Sequence, residues 1–219
     1  QIDLMENAIR RNAEAILLAA LDADALVPYV EEAMAEGIPV ATFDSGVNTE
    51  VLSHVGTDNF AAGARAAEEL ALLIGETGTV AMVLHDQASE TGAERERGFV
   101  TEMERSYPEV ELLSPVYSGG NHRRSGLLIR QIMNDHPDLA AVFTGNEGAT
   151  IGVAQALAGY QRGPQIVIVG FDAAPMQIEL LRSGVIDGLV VQDPYAMGYR
   201  GVSTLVAHLR GSTVEQRIV

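Results

Sequence analysis

The chain has 219 residues, 47% of them hydrophobic, and a formal net charge of −16. Such a composition builds a real core and excludes the disordered class, while the acidity argues against a phosphate backbone as partner, since no basic stripe offsets it. Cysteine is absent, which removes disulfides and thiolate chemistry, and no apolar run nears the ~18 residues of a membrane span.

No basic-then-apolar leader opens these residues, which leaves a cleaved or preceding segment open. The strongest basic cluster is "NHRRS" at 121–125, too short for a nucleic-acid footprint. The acidity reads as solubility.

In chain order, "MENAIRRN" (5–12) is helix-like and "AEAILLAA" (13–20) is a short apolar strand. "DADALVPYVEEAMAEG" (22–37) reads as a helix capped by Asp22 and ended by Gly37. "IPVATF" (38–43) is an apolar, β-branched strand that runs straight into Asp44. A polar loop and a short strand follow, and then an Ala-rich helix with Asn59 as its expected N-cap. "TVAMVLH" (79–85) is strand, and "SETGAERERGFVTEMERSYP" (89–108) is a helix stopped near Pro108. "VELLSPVYS" (110–118) reads as one strand, and "RRSGLLIRQIMNDHP" (123–137) as a helix stopped before Pro137. The rhythm closes with strand at 139–145, helix at 146–160, strand at 165–172, helix at 174–184, strand at 185–192 and helix at 193–211.

Apolar strands alternating with helices predict βαβ crossovers and parallel sheets covered on both faces. In such sheets ligands bind beyond the carboxyl ends of the strands. Four polar side chains stand at those ends: Asp44, Asn146, Asp172 and Gln192. A carboxylate there cannot enter the core cheaply. It must meet solvent, a ligand or a helix N-terminus.

The segments "GIPVATFDSG", "HVGTDNFAAG", "ERERGF", "HPDLAAVFTGNEGATIG", "VIVGFD" and "VVQDPYAMGYRGV" occur in order along nearly the whole chain. As an ordered set they resemble the periplasmic sugar-binding proteins of ABC transporters, of the ribose-binding-protein type. Those proteins share a fold with the effector domains of lac-repressor-family regulators. The resemblance implies an α/β protein of two Rossmann-like lobes with parallel sheets, joined by hinge crossings near 57–58 and 192–193. The first lobe would hold 1–57 plus 193–219, and the second 58–192. Compared with the family, a first strand-helix-strand unit and a C-terminal strand are expected to be missing, leaving the first lobe incomplete, with two clear strands.

The resemblance also implies a ligand held in a cleft between lobes that close on it. It assigns Asp44 to sugar hydroxyls, whose donors a carboxylate can hold bidentately. Without the family, Asp44 reads as a turn-initiating residue. Ser45 would add a donor or serve the turn. Arg97 matches a ligand-binding arginine, a fixed donor fork, where a solvated charge paired with Glu94 or Glu96 is the plainer reading. Arg95, two residues earlier on the same helix, would point elsewhere. Asn146 and Asp172 match sugar-binding positions, although Asn146 also suits the N-cap of the next helix. Gln192 matches a ligand-binding glutamine or is a solvent-facing strand end. Asp58 is read as hinge structure.

Trp is absent, and an asparagine position of the family reads here as Ala19. Tyr195 and Tyr117 are the local ring candidates, and core or rim packing suits each of them.

Enzyme readings do poorly. The five histidines show no HxxxH spacing, and no GxSxG or Walker motif occurs. No cofactor or metal is expected. The function implied by the resemblance is an extracytoplasmic solute-binding protein that binds a sugar or related polyol and delivers it to an ABC permease. Its expected place is the periplasm, or a lipid anchor in a single-membrane bacterium. The alternative is the effector domain of a lac-repressor-type regulator, and a third reading is a sensor input domain.

Overall fold

The computed structural model describes residues 1–158 and 165–219. The expected end of the helix from 146 to 160 therefore falls partly outside the described residues. Two compact units emerge. Unit 1 comprises Gln1–Asp58, Ala88–Thr91 and Asp193–Val219, and unit 2 comprises Asn59–Gln87 and Gly92–Gln192. Ala88–Thr91, expected with the second lobe, packs instead with unit 1.

Unit 1 is built from α1 (Ile2–Arg10), β1 (Ile16–Leu18), α2 (Val27–Ala35), β2 (Val40–Phe43) and β3 (Ser53–Val55). From the C-terminal end of the chain come α8 (Pro194–Leu209) and β10 (Arg217–Ile218). Its sheet runs β1-β2-β3-β10, with every pairing parallel. Met5, Ile9, Ile16, Leu18, Val30, Ala33 and Val40 form the core under α1 and α2, and α8 packs on β2 and β3.

Two differences from the sequence reading stand out here. First, α2 begins only at Val27, with Pro28 in its first turn. Asp22 Oδ1 accepts from the backbone N–H groups of Asp24 and Ala25, so it caps a preceding turn. Second, β10 adds a C-terminal strand that had been expected to be missing, and its two residues pair with His54 and Val55. With β3, the short strand read after the polar loop, the sheet has four strands where two were clear in the sequence. As read from the sequence, a loop, residues 44–52, leads from β2 to the short strand β3, which pairs parallel to it with no helix between them.

Unit 2 is built from α3 (Asn59–Leu73), β4 (Gly78–Leu84), α4 (Glu90–Ser106, whose first two residues group with unit 1), β5 (Val110–Leu112), β6 (Val116–Tyr117) and α5 (His122–Asp135). It continues through β7 (Leu139–Thr144), α6 (Glu147–Ala158), β8 (Val167–Phe171), α7 (Pro175–Arg182) and β9 (Gly188–Val190). The strand order is β5-β4-β7-β8-β9, all parallel, with β6 also paired to β4.

The segment read as one strand, 110–118, is two. Pro115 stands between β5 and β6 and has no N–H for the ladder. Alternation along β4 sends Val80, Met82 and Leu84 to one buried face and Ala81 and Val83 to the other. Phe99 stacks on Phe143 at 4.2 Å, and Phe143 meets Phe171 edge to face at 6.3 Å. Helices α3 and α4 approach through Gly63 and Gly98. A Cβ on Gly63 would lie 2.2 Å from Arg95 O, and one on Gly98 2.0 Å from Phe60 O.

Candidate functional site

In unit 2 the ends of β7, β8 and β9 bring three of the expected residues together. Asp172 follows β8 with φ +74°, a left-handed conformation that Asp tolerates better than most residues. Its backbone N–H donates to Val190 O at 2.9 Å, which ties the β8 end to β9. Its carboxylate is held from two sides. Gln192 Nε2 donates to Oδ1 at 2.7 Å, and the backbone N–H of Glu147 donates to Oδ2 at 3.0 Å. Glu147 opens α6, so the positive end of that helix faces the carboxylate.

Asn146 stands one residue earlier and caps α6, its Oδ1 accepting from Ala149 N at 3.0 Å. Its carbonyl accepts from the backbone and hydroxyl of Thr150. The capping role read from the sequence is thus present, and Nδ2 is its remaining side-chain donor.

The two arginines point to different sides of α4, as the helical spacing implies, and Arg97 makes the plainer pairing with Glu94. Arg97 is exposed, donates to Glu94 Oε2 at 2.6 Å and lies 4.9 Å over the Phe60 ring. Arg95 is the buried one, at 4% exposure. Its Nε donates to Asn59 Oδ1 at 2.8 Å and its Nη1 to Gly145 O at 2.9 Å, with the guanidinium 4.0 Å over Phe171. Arg95 thus braces the turn after β7, next to Asn146. Helical spacing holds the signal: Arg95, Phe99 and Met103 share one buried stripe at steps of four, while Arg97 is rotated about 200° from Arg95. Asn59, expected as a cap, spends its side-chain oxygen on Arg95.

Tyr117 is tied within unit 2. Its hydroxyl donates to Glu96 Oε2 at 2.8 Å and accepts from Gln87 Nε2 at 2.6 Å. Burial first, and then the Glu96 carboxylate, push this phenol up to about 12. Tyr195 is open, at 81% exposure, and stacks against Tyr199 at 6.4 Å.

In unit 1, Asp44 follows β2 with φ +59°, the same backbone choice as Asp172. Its N–H donates to Val55 O at 2.9 Å, tying β2's end to β3. Ser45 is buried, its Oγ 3.4 Å from Thr91 Oγ1 and its carbonyl accepting from Ala20 N at 3.2 Å. The Gly46 N–H donates to Glu90 Oε2 at 2.7 Å.

Beside this loop lies a cavity of about 490 Å3, lined among others by Thr42, Glu50, His54, Glu90 and Arg217. Thr42 Oγ1 and His54 Nδ1 are 2.9 Å apart. Burial holds the His54 imidazole below its ordinary value; Glu90 and Asp44 oppose this and Arg217 adds to it. Neither His54 nor Glu90 stood out in the sequence, since no spacing rule pairs them. Among the described residues no group of three or more His, Asp or Glu side chains could hold a metal ion, and no helix is long and apolar enough to cross a membrane.

Residues 1–213 match the family model described as periplasmic binding protein domain. The chain is 28% identical to the ribose import binding protein RbsB of Escherichia coli (strain K12), over 94% of this chain and 69% of that protein. It is 24% identical to the D-allose-binding periplasmic protein of the same organism, with the same coverage. Among solved structures it resembles an ABC transporter solute binding protein from Agrobacterium vitis bound with alpha-D-tagatopyranose. There the TM-score is 0.95 at 30% identity, over 100% of this chain and 76% of that one. A carbohydrate transporter solute binding protein from Agrobacterium radiobacter, in complex with D-arabinose, gives 0.95 at 30%, over 99% and 75%. With two parallel α/β units, polar residues closing the strands and a family model matched over nearly its full length, the chain belongs to the periplasmic binding protein domain family.

Proposed function

We propose that this chain binds a monosaccharide or related polyol outside the cytoplasm and presents it to an ABC importer's permease, with no catalytic step. The observation that carries the reading is the Asp172 carboxylate, held by Gln192 and the N-terminus of α6 at the end of β8. A carboxylate so fixed keeps lone pairs for two more donors, which suits adjacent sugar hydroxyls. Asp44, with the same left-handed backbone at the end of β2, supplies the equivalent acceptor from unit 1. In unit 2 Asn146 Nδ2, Gln192 and Arg97, and in unit 1 Ser45, are the further polar groups this reading assigns to the ligand.

The relatives support the sugar class, since those named above bind or import ribose, allose, tagatose or arabinose. The regulator reading is not favoured, because the same relatives are import and periplasmic binding proteins. Isothermal titration with D-ribose, D-allose, D-arabinose and D-tagatose tests the proposal. Saturable binding of at least one, lost in Asp172→Ala, is expected. A folded protein that binds none of them refutes it.

A further inference from the structure

The strand-end carboxylates differ in what aims them. Nothing in the sequence links the loop after β2 to the start of α4, yet the structure fastens one to the other. Gly46 N–H donates to Glu90 Oε2 at 2.7 Å, and Ser45 Oγ meets Thr91 Oγ1, which in turn lies 2.9 Å from Ser89 Oγ. Ala23 N–H donates to Ala88 O, and Asn48 N–H donates to Ala23 O. The four residues Ala88–Thr91 thus join unit 1, while the chain on both sides of them belongs to unit 2.

We propose that Glu90 is a positioning residue for sugar binding: its carboxylate fixes Gly46, and through it the left-handed turn that presents Asp44. This rests on the sugar-binding reading of Asp44. Asp44 lies two residues before Gly46 and holds φ +59°, a left-handed conformation that Asp tolerates better than most residues and that bonds on either side of it keep in place. Val55 O fixes the turn on the Asp44 side, and Glu90 fixes it on the Gly46 side. A charge-assisted bond from a backbone N–H to a carboxylate is among the stronger hydrogen bonds.

The glycine fits the role. A Cβ on Gly46 would meet Glu90 and nothing nearer, lying 2.2 Å from Oε2. Gly46 is not among the residues of positive φ. Gly46→Ala therefore displaces the carboxylate without straining its own backbone. A binding site loses affinity when the shell that preorganises it loosens.

The test is sugar titration on the full chain, using whichever of D-ribose, D-allose, D-arabinose or D-tagatose binds, in wild type, Glu90→Ala, Glu90→Gln, Gly46→Ala and Asp44→Asn. Outer partners that orient metal ligands are worth roughly 10–100-fold in affinity, so Glu90→Ala and Gly46→Ala are expected to weaken binding by about tenfold. Glu90→Gln keeps an acceptor oxygen and should stay within about threefold of wild type. In an Asp44→Asn background, Glu90→Ala should add little, because the carboxylate it aims is gone.

Amide exchange gives a readout that needs no sugar. The Gly46 N–H should exchange at least about tenfold faster in Glu90→Ala than in wild type, and near the wild-type rate in Glu90→Gln. Unchanged exchange in Glu90→Ala overturns the inference whatever the ligand. So does an equal loss of affinity from Glu90→Ala with and without Asp44, which marks a merely structural role. If Asp44→Asn leaves affinity untouched, the sugar-binding reading of Asp44 falls and the inference with it. If Asp44→Asn weakens binding and Glu90→Ala does not, only the inference falls.

Discussion

In unit 2 the carboxylate of Asp172 is aimed by its own neighbourhood: the N-terminus of α6 on one oxygen and Gln192 on the other. In unit 1 Asp44 has the same left-handed backbone, but a loop follows it, and that loop is secured by Glu90 from a distant part of the sequence. The surrounding cores differ in the same sense. Unit 2 covers both faces of its sheet with large apolar clusters, including three stacked or edge-on phenylalanines. Unit 1 has strands of two to four residues and one smaller cluster under α1 and α2. At the end of β8 the bonds come from the ends of the two neighbouring strands, the N-terminus of α6 after β7 and Gln192 after β9. The loop after β2 takes its bond from the start of α4, 44 residues along the chain.

The largest effect expected from this contrast is in the unit 2 core. Phe143→Ala removes the ring shared by Phe99 and Phe171 and should cost about 3–5 kcal/mol in denaturant unfolding. A loss no greater than that of Val30→Ala in unit 1 would break the claim that unit 2 is the better-packed unit. Next come the carboxylates themselves. Asp172→Ala and Asp44→Ala should each weaken sugar binding by ~2 kcal/mol or more in calorimetry, since each leaves a buried hydroxyl without its charged partner. Unchanged affinity in both would remove them from the site.

The smallest effect is titration of His54. Burial, the leading cause, lowers its folded pKa, so just below 6.5 the unfolded state holds more protons. Stability should therefore fall as pH drops from 6.5 toward the folded value, and above 6.5 this group should contribute no dependence. Asp44 and Glu50 in the segment after β2, Glu90 at the start of α4 and Arg217 on β10 all face that region. Chemical denaturation of wild type and His54→Gln across this window measures it. An identical pH slope in the two proteins would show that the imidazole is not held neutral by burial.

Much of the architecture was legible from local signals. Alternating apolar runs and helical stripes located the strands and helices of unit 2, because each element there carries its own period. Gly37, with φ +83°, stands just past the C-cap of α2 and ends that helix, as its place in the sequence suggests. Asp44, Asn146, Asp172 and Gln192 stood out because a polar residue ending an apolar strand has few places to go.

The rest was decided only when distant segments met. The two-residue strand β10 has no period to read and exists because β3 offers it a ladder. Pro115 splits one apolar run into two strands, since the ladder on β4 needs an N–H that proline lacks. Asp22 looked like a helix cap and capped a turn, because its oxygen reached Asp24 and Ala25 first. The division between Arg95 and Arg97 followed from which side of α4 met Phe171. The bond from Gly46 to Glu90 joins positions 44 residues apart. Sequence determined where strands end and which side chains stand there. Only the tertiary structure decided what holds those side chains, because hydrogen bonds between distant segments depend on chain closure and leave no periodic trace.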